Sequence, residues 1–179
     1  MRSSTRTAVI TFERNLGIAQ RIARHIGADV LLYEREIFRK AFEEYDAIVA
    51  VFATGIVVRD IAPLIQNKWK DPAVVVVDSN LNFAISLLGG HHGANDLVRK
   101  IAEIGAIPVI TTATEVHNRN SVEGIAKALG CDIVNKDSTR QVNCSLLEQD
   151  VEVLEIKGPK IVVVGDDVSV LKKEKAENR

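Results

Sequence analysis

Ala73-Val74-Val75-Val76-Val77-Asp78 carries the reading of the fold. Four successive valines are too short a run for a helix and lack the alternation of a half-buried strand. β-branched side chains on both faces suit a strand that is buried on both sides, as in a parallel sheet covered by helices. Similar apolar runs stand on either side, at residues 7–11, 30–33, 47–52, 83–88 and 107–110. A later pair lies at 151–156 and 160–164.

Helical patterns fill the gaps. Leu16, Ala19, Ile22, Ala23 and Ile26 recur every three or four residues, and Leu97, Val98, Ile101, Ala102 and Ile104 repeat the spacing. Each set makes one buried face. Gly27, Gly105 and Gly130 follow helical stretches and precede strand-like ones, where a glycine accepts the left-handed backbone that stops a helix. Recurrent helix–glycine–strand units predict an α/β protein: a three-layer α/β/α domain with a mostly parallel sheet over residues 1–115. Past residue 116 a small α+β unit, 116–179, is expected. It reads as one helix, a polar stretch at 135–143, two strand-like runs split by Gly158-Pro159, and a charged, solvated tail at 171–179.

Composition narrows the function classes. A hydrophobic fraction of 46% with 26% charged residues is that of a globular chain, and a net charge of -1 provides no drive toward nucleic acid or an anionic membrane. No apolar run approaches the roughly 20 residues that span a bilayer. The start, Met1-Arg2-Ser3-Ser4-Thr5-Arg6, has no apolar stretch of the signal-peptide kind behind it. Cys131 and Cys144 lack ligand-like spacing and read as plain thiols. A cytoplasmic location is therefore expected. Neither GxGxxG nor GxxxxGK[ST] is present, which disfavours NAD and ATP.

Ligands of open parallel sheets bind beyond the carboxyl ends of the strands, so the residues following each strand are the candidates. Residues 47–52 are followed by Ala53-Thr54-Gly55 and then Arg59, and 73–77 by Asp78. Residues 83–88 lead into Gly89-Gly90-His91-His92-Gly93-Ala94-Asn95, and 107–110 into Thr111-Thr112-Ala113-Thr114. The four ends are expected to converge on one polar, anion-tolerant cleft. In the glycine–histidine loop, glycines permit sharp turns and close approach. Asn95 or Asp96 would cap the next helix, and the imidazoles add acid–base capacity. Plainer roles compete: Thr54-Gly55 as a helix start, Arg59 in a surface ion pair, Asp78 opening a turn with Ser79-Asn80, and the threonines as a structural turn. No HxxxH or CxxC completes a shell around His91 and His92, so no metal site is expected.

These same residues resemble the N-terminal region of the cobalamin-biosynthesis family CbiG. The resemblance is carried by residues 53–64, Lys68, residues 71–78, the run Ile85-Ser86-Leu87-Leu88-Gly89-Gly90-His91-His92-Gly93-Ala94-Asn95, and Pro108-Val109-Ile110-Thr111-Thr112-Ala113-Thr114. It is dense over 45–115 and looser beyond, where residues 142–148 are similar to the family's middle region. The resemblance implies a cobalt-precorrin-5A hydrolase of the anaerobic vitamin B12 pathway. Water opens the lactone between the ring-A acetate and C20, and C20 leaves with its methyl group as acetaldehyde, giving cobalt-precorrin-5B. The partner is then a cobalt-corrinoid intermediate, and no cofactor is needed because the substrate carries the cobalt.

Residue chemistry suggests the roles. Arg59 and Lys68 would hold substrate carboxylates, Gly90, Gly93 and Asn95 would offer N–H groups, and Thr54, Gly55, His92, Thr111, Thr112 and Thr114 would position the ring. His91 would move protons with Asp78 as its partner, or make an axial contact to cobalt. Full-length members of the family carry a further C-terminal domain. This chain is expected to lack it, and to act either alone or with a separate polypeptide of that type, or another B12-pathway enzyme, as partner. A homo-oligomer is compatible with the sequence. The alternative is a non-catalytic corrinoid-binding or scaffold protein derived from the family.

Overall fold

The computed structural model describes residues 5–117, 119–148, 153–154, 160–164 and 167–173. The chain forms two compact units, 1–110 and 111–179. The first is built on strands β1 (Thr7–Thr11), β2 (Asp29–Leu32), β3 (Ala47–Val51), β4 (Ala73–Val77), β5 (Phe83–Leu88) and β6 (Ile107–Val109). Their spatial order is β2-β1-β3-β4-β5-β6. β2, β1, β3 and β4 are mutually parallel, β5 is antiparallel to β4, and β6 is parallel to β5.

Helices cover both faces of this sheet. On one side α1 (Leu16–Ile26) and α4 (Ala94–Ala102) bring Ala19, Ile22, Ala23, Ala94, Val98 and Ile101 onto Val9, Val49, Val51, Val75 and Val77. On the other, α2 (Ile37–Glu44) and α3 (Thr54–Ile61) bring Ile37, Phe38, Ala41, Val57 and Ile61 onto Ile10, Ile48, Ala50, Val74 and Val76. Alternate valines of β4 thus serve opposite layers, and for this reason the run shows no polar alternation: every residue of β1, β3 and β4 is buried. The three-layer, mostly parallel architecture agrees with the sequence reading.

The second unit contains α5 (Ala113–Val116), α6 (Val122–Leu129), β7 (Cys131–Ile133), α7 (Thr139–Glu148), β8 (Val153–Leu154), β9 (Lys160–Val164) and β10 (Asp167–Lys173). Its strands make an antiparallel sheet in the order β7-β10-β9-β8. Ser121 caps α6, its hydroxyl accepting the N–H of Gly124 at 3.0 Å. Two expectations are corrected here. The polar stretch 135–143 runs into α7, whose Thr139, Val142 and Leu146 repeat at helical spacing and are buried. The segment from Leu171 is no solvated tail as far as Lys173: it ends strand β10, with Leu171 fully buried. Residues 174–179 and Gly158-Pro159 lie outside the described residues.

Candidate functional site

Because β5 runs against β4, its carboxyl end lies beside the amino end of β4, and Leu88 pairs with Val74. The glycine–histidine loop therefore stands at the amino edge of β4. Gly89 makes the turn with φ 70°, and a Cβ there would come within 3.1 Å of the Ala73 Cα, so any side chain would be both strained and crowded. Its carbonyl accepts the N–H groups of His92 at 2.9 Å and Ala94 at 3.1 Å. These bonds fold Gly90–His92 into a single 3-10 turn. Gly93 follows with φ 120° and fills the N-cap position of α4, one residue before Ala94. Neither Asn95 nor Asp96 caps this helix, contrary to expectation: both lie inside its first turn, Asn95 buried at 3% exposure.

His91 and His92 are both half-buried. The His92 ring meets the indole of Trp69 edge-on, with centroids 4.8 Å apart. The Lys68 ammonium lies 4.7 Å from the centre of the same indole. The loop carrying this pair is tied down on both sides. The Asp71 carboxylate accepts the Gln66 N–H at 3.0 and 3.1 Å, and the Asn67 side chain accepts the Trp69 N–H at 3.0 Å. One edge of the sheet thus gathers two imidazoles, an ammonium, an indole and a glycine-rich backbone.

Thr54, Gly55, Arg59 and Asp78 lie elsewhere, and the expected convergence of four strand ends is corrected: β6 runs parallel to β5, so those two strands end at the amino edge of β4, while β3 and β4 end at the opposite edge. Thr54, Gly55 and Asp78 follow β3 and β4 at the carboxyl edge, separated from the loop by the length of β5, about 20 Å for six extended residues. Arg59, on α3, donates to the Gly55 carbonyl one turn back at 3.0 Å. Asp78 cannot serve His91 as a proton partner from there. Its carboxylate accepts the Asn80 N–H at 2.9 Å, the Asn82 side-chain amide at 3.1 Å and the Phe83 N–H at 2.7 Å. Burial acts to raise its pKa, but these donors outweigh it and hold the carboxyl below its ordinary value. Its local work is the β4–β5 turn, where Leu81 takes a left-handed φ of 59°.

Thr111, Thr112 and Thr114 open the second unit. The Thr112 carbonyl accepts the Glu115 and Val116 N–H groups at 3.0 Å each, starting α5, and Thr114 is buried. Trp69 is the residue that sequence reading missed. Its signal was available: it is the chain's single tryptophan, next to Lys68 and just before the valine strand. Among the described residues no group of three or more His, Cys, Asp or Glu is placed to hold a metal ion. Nor is any described helix long and apolar enough to cross a membrane.

Comparison with known proteins places this edge in a family context. Residues 36–115 match the family model described as cobalamin synthesis G N-terminal. A cobalt-precorrin-5A hydrolase of Salmonella typhimurium is 50% identical over 90 residues, 49% of this chain and 26% of the relative. One from Priestia megaterium is 36% identical over 129 residues, 70% of this chain and 34% of the relative. A crystal structure of a cobalamin biosynthesis protein G homolog from Sulfolobus solfataricus matches with a TM-score of 0.57 and 28% identity, covering 85% of this chain and 51% of that one. The chain therefore spans about a quarter to a third of the length of these curated relatives. The resemblance read from the sequence holds for the N-terminal and middle regions.

Proposed function

We propose that this chain, whose residues 36–115 are a cobalamin synthesis G N-terminal region, binds a cobalt-corrinoid intermediate and acts in the hydrolysis of cobalt-precorrin-5A. The observation that carries the proposal is the amino edge of β4: the loop Gly89–Asn95 and the Lys68-Trp69 pair meet there, and both lie within the family match. The substrate is a flat macrocycle edged with carboxylates. Lys68 supplies a point charge for one of them, and N–H groups around Gly90 and Gly93 suit a second, or the oxyanion formed as water adds to the lactone.

Two protons must move. One leaves the attacking water, and another leaves the C20 hydroxyl as it becomes the aldehyde. His91 is the group of the loop suited to both, since an imidazole changes charge near neutral pH. The ring-A acetate is then free; as the C20 hydroxyl loses its proton, the carbon–carbon bond joining C20 to the macrocycle breaks, its electron pair stays on the macrocycle, and C20 departs with its methyl group as acetaldehyde. Arg59, Thr54 and Gly55 occupy the opposite edge and are given no part in this step.

The test is anaerobic single-turnover incubation of the purified chain with cobalt-precorrin-5A, assaying bound corrinoid and acetaldehyde together. Acetaldehyde formation supports hydrolysis by this chain. Binding without acetaldehyde reassigns it to corrinoid binding, with the chemistry supplied by a partner. Failure to bind overturns the proposal.

A further inference from the structure

A cavity of 170 Å³ lies between the start of α2 and the end of α3, and no residue of the glycine–histidine loop lines it. Tyr33 and Phe38 form its aromatic part. Three other rings hold the Tyr33 ring in place: Phe12, Phe52 and Phe38, with centroids 4.9, 5.5 and 6.4 Å away. Tyr33 is nevertheless 37% exposed, so a guest can reach it. Asp60, on α3, lines the same cavity and is half-buried. Its Oδ2 is shielded from water and accepts no hydrogen bond among the described residues. After burial, the charge of this carboxylate is what holds the neighbouring Tyr33 phenol above its ordinary pKa. The other acids of the cavity are already engaged: Arg39 donates to Glu36 at 2.6 Å, and Lys40 to Glu34 at 2.7 Å. Arg35 also lines the cavity, but it is exposed and makes no ion pair with Asp60.

We propose that this cavity binds a primary ammonium group, with Asp60 as its counter-ion and the Tyr33 ring as its wall. A carboxylate partly withdrawn from water, with one oxygen lacking a donor, gains more from an arriving N–H cation than a solvated carboxylate does. Rotation about the Asp60 Cβ–Cγ bond is soft, so either oxygen can turn to the guest. The fixed aromatic ring attracts the positive charge and packs against the attached alkyl chain. Asp60 repels an anion, and a neutral apolar guest would strip the carboxylate of water without replacing it. At about 30 Å³ for each water-sized group, the cavity takes a chain of about five or six heavy atoms. The site is independent of the corrinoid one, since no residue of this cavity takes part there.

The chain has two tyrosines, so carbon-13 labelling of tyrosine rings gives two sets of NMR signals, assigned with Tyr33→Phe. Tyr45 does not line the cavity and reports non-specific effects of added cation. Butylammonium chloride is titrated into the full chain at constant ionic strength, beside 1-butanol as its neutral isostere. The expected result is a saturable shift of the Tyr33 signals in the millimolar range. Affinity should fall about tenfold or more for 1-butanol, and by as much for butylammonium in Asp60→Asn. Circular dichroism checks that Asp60→Asn is folded, and Asp60→Ala provides a second variant. Nα-acetyl-lysinamide carries the same ammonium on a peptide unit and separates the sources: tighter binding than butylammonium assigns the site to a protein lysine, weaker binding to a free amine. Equal affinity for 1-butanol, unchanged affinity in both Asp60 variants, or no saturable Tyr33 shift in the wild type overturns the proposal.

Discussion

At the scale of single residues, backbone constraint and side-chain chemistry separate cleanly. Gly89 is fixed by its left-handed φ and by Ala73 at 3.1 Å, so Gly89→Ala strains the loop wherever the side chain turns. A loss of about 1–3 kcal/mol is expected in urea unfolding. Asp78 is fixed by three hydrogen bonds, and Asp78→Ala should cost about 1–3 kcal/mol by leaving turn N–H groups without their acceptor. Its carboxyl is held below the ordinary value in the folded state. The stability it adds is therefore fully present above the unfolded carboxylate range, and is lost as pH falls through the lower folded value. Unfolding curves from neutral to acid pH should show this loss in the wild type, and Asp78→Asn should flatten that part of the profile. The turn role of Asp78 was readable from Asp78-Ser79-Asn80. The catalytic role set beside it, as partner to His91, required the carboxyl ends of β4 and β5 to share one edge, and the antiparallel pairing separates them.

At the scale of elements, direction is what the residue pattern did not display. A run of buried β-branched residues looks alike whether its neighbour is parallel or antiparallel. Loop length held the missing clue. Only residues 78–82 separate β4 from β5, far too few for the crossover of a dozen or more residues that a parallel pair needs. Counting that gap would have sent the histidine loop to the opposite edge from Thr54. β10 was missed for another reason. The lysines and glutamates at the chain's end dominate its composition, while the strand signal is a short alternation in which Ser169 and Leu171 are buried and Val168 and Lys172 are exposed. Leu171→Ala should therefore cost about 2–5 kcal/mol in thermal unfolding of the second unit, as a core truncation does. A solvated tail would show almost no change. Within α4, Ile101→Ala should destabilise by a similar amount, since Ile101 is fully buried against the sheet.

At the scale of the whole molecule, the six-stranded sheet acts as a rigid frame with two chemically different edges. Its carboxyl edge, where open parallel sheets usually bind ligands, holds the Asp78 turn and the start of α3. Reversal of β5 moves the glycine–histidine loop to the amino edge, beside Lys68 and Trp69. The layers and the mostly parallel sheet were legible because burial on both faces leaves a mark in composition. The site was legible as a list of residues but not as a place, because four strand ends in sequence say nothing of which way each strand runs. The account therefore predicts that activity follows one edge and is indifferent to the other.

The measurement that tests this most directly is anaerobic single-turnover release of acetaldehyde from cobalt-precorrin-5A by the wild type, His91→Ala and Asp78→Asn, each shown to be folded. The account predicts acetaldehyde from the wild type, a loss of about a hundredfold or more in His91→Ala with corrinoid affinity kept within a few-fold, and an unchanged rate in Asp78→Asn. A full rate in His91→Ala, or a collapse in Asp78→Asn, would return the chemistry to the carboxyl edge and contradict the account.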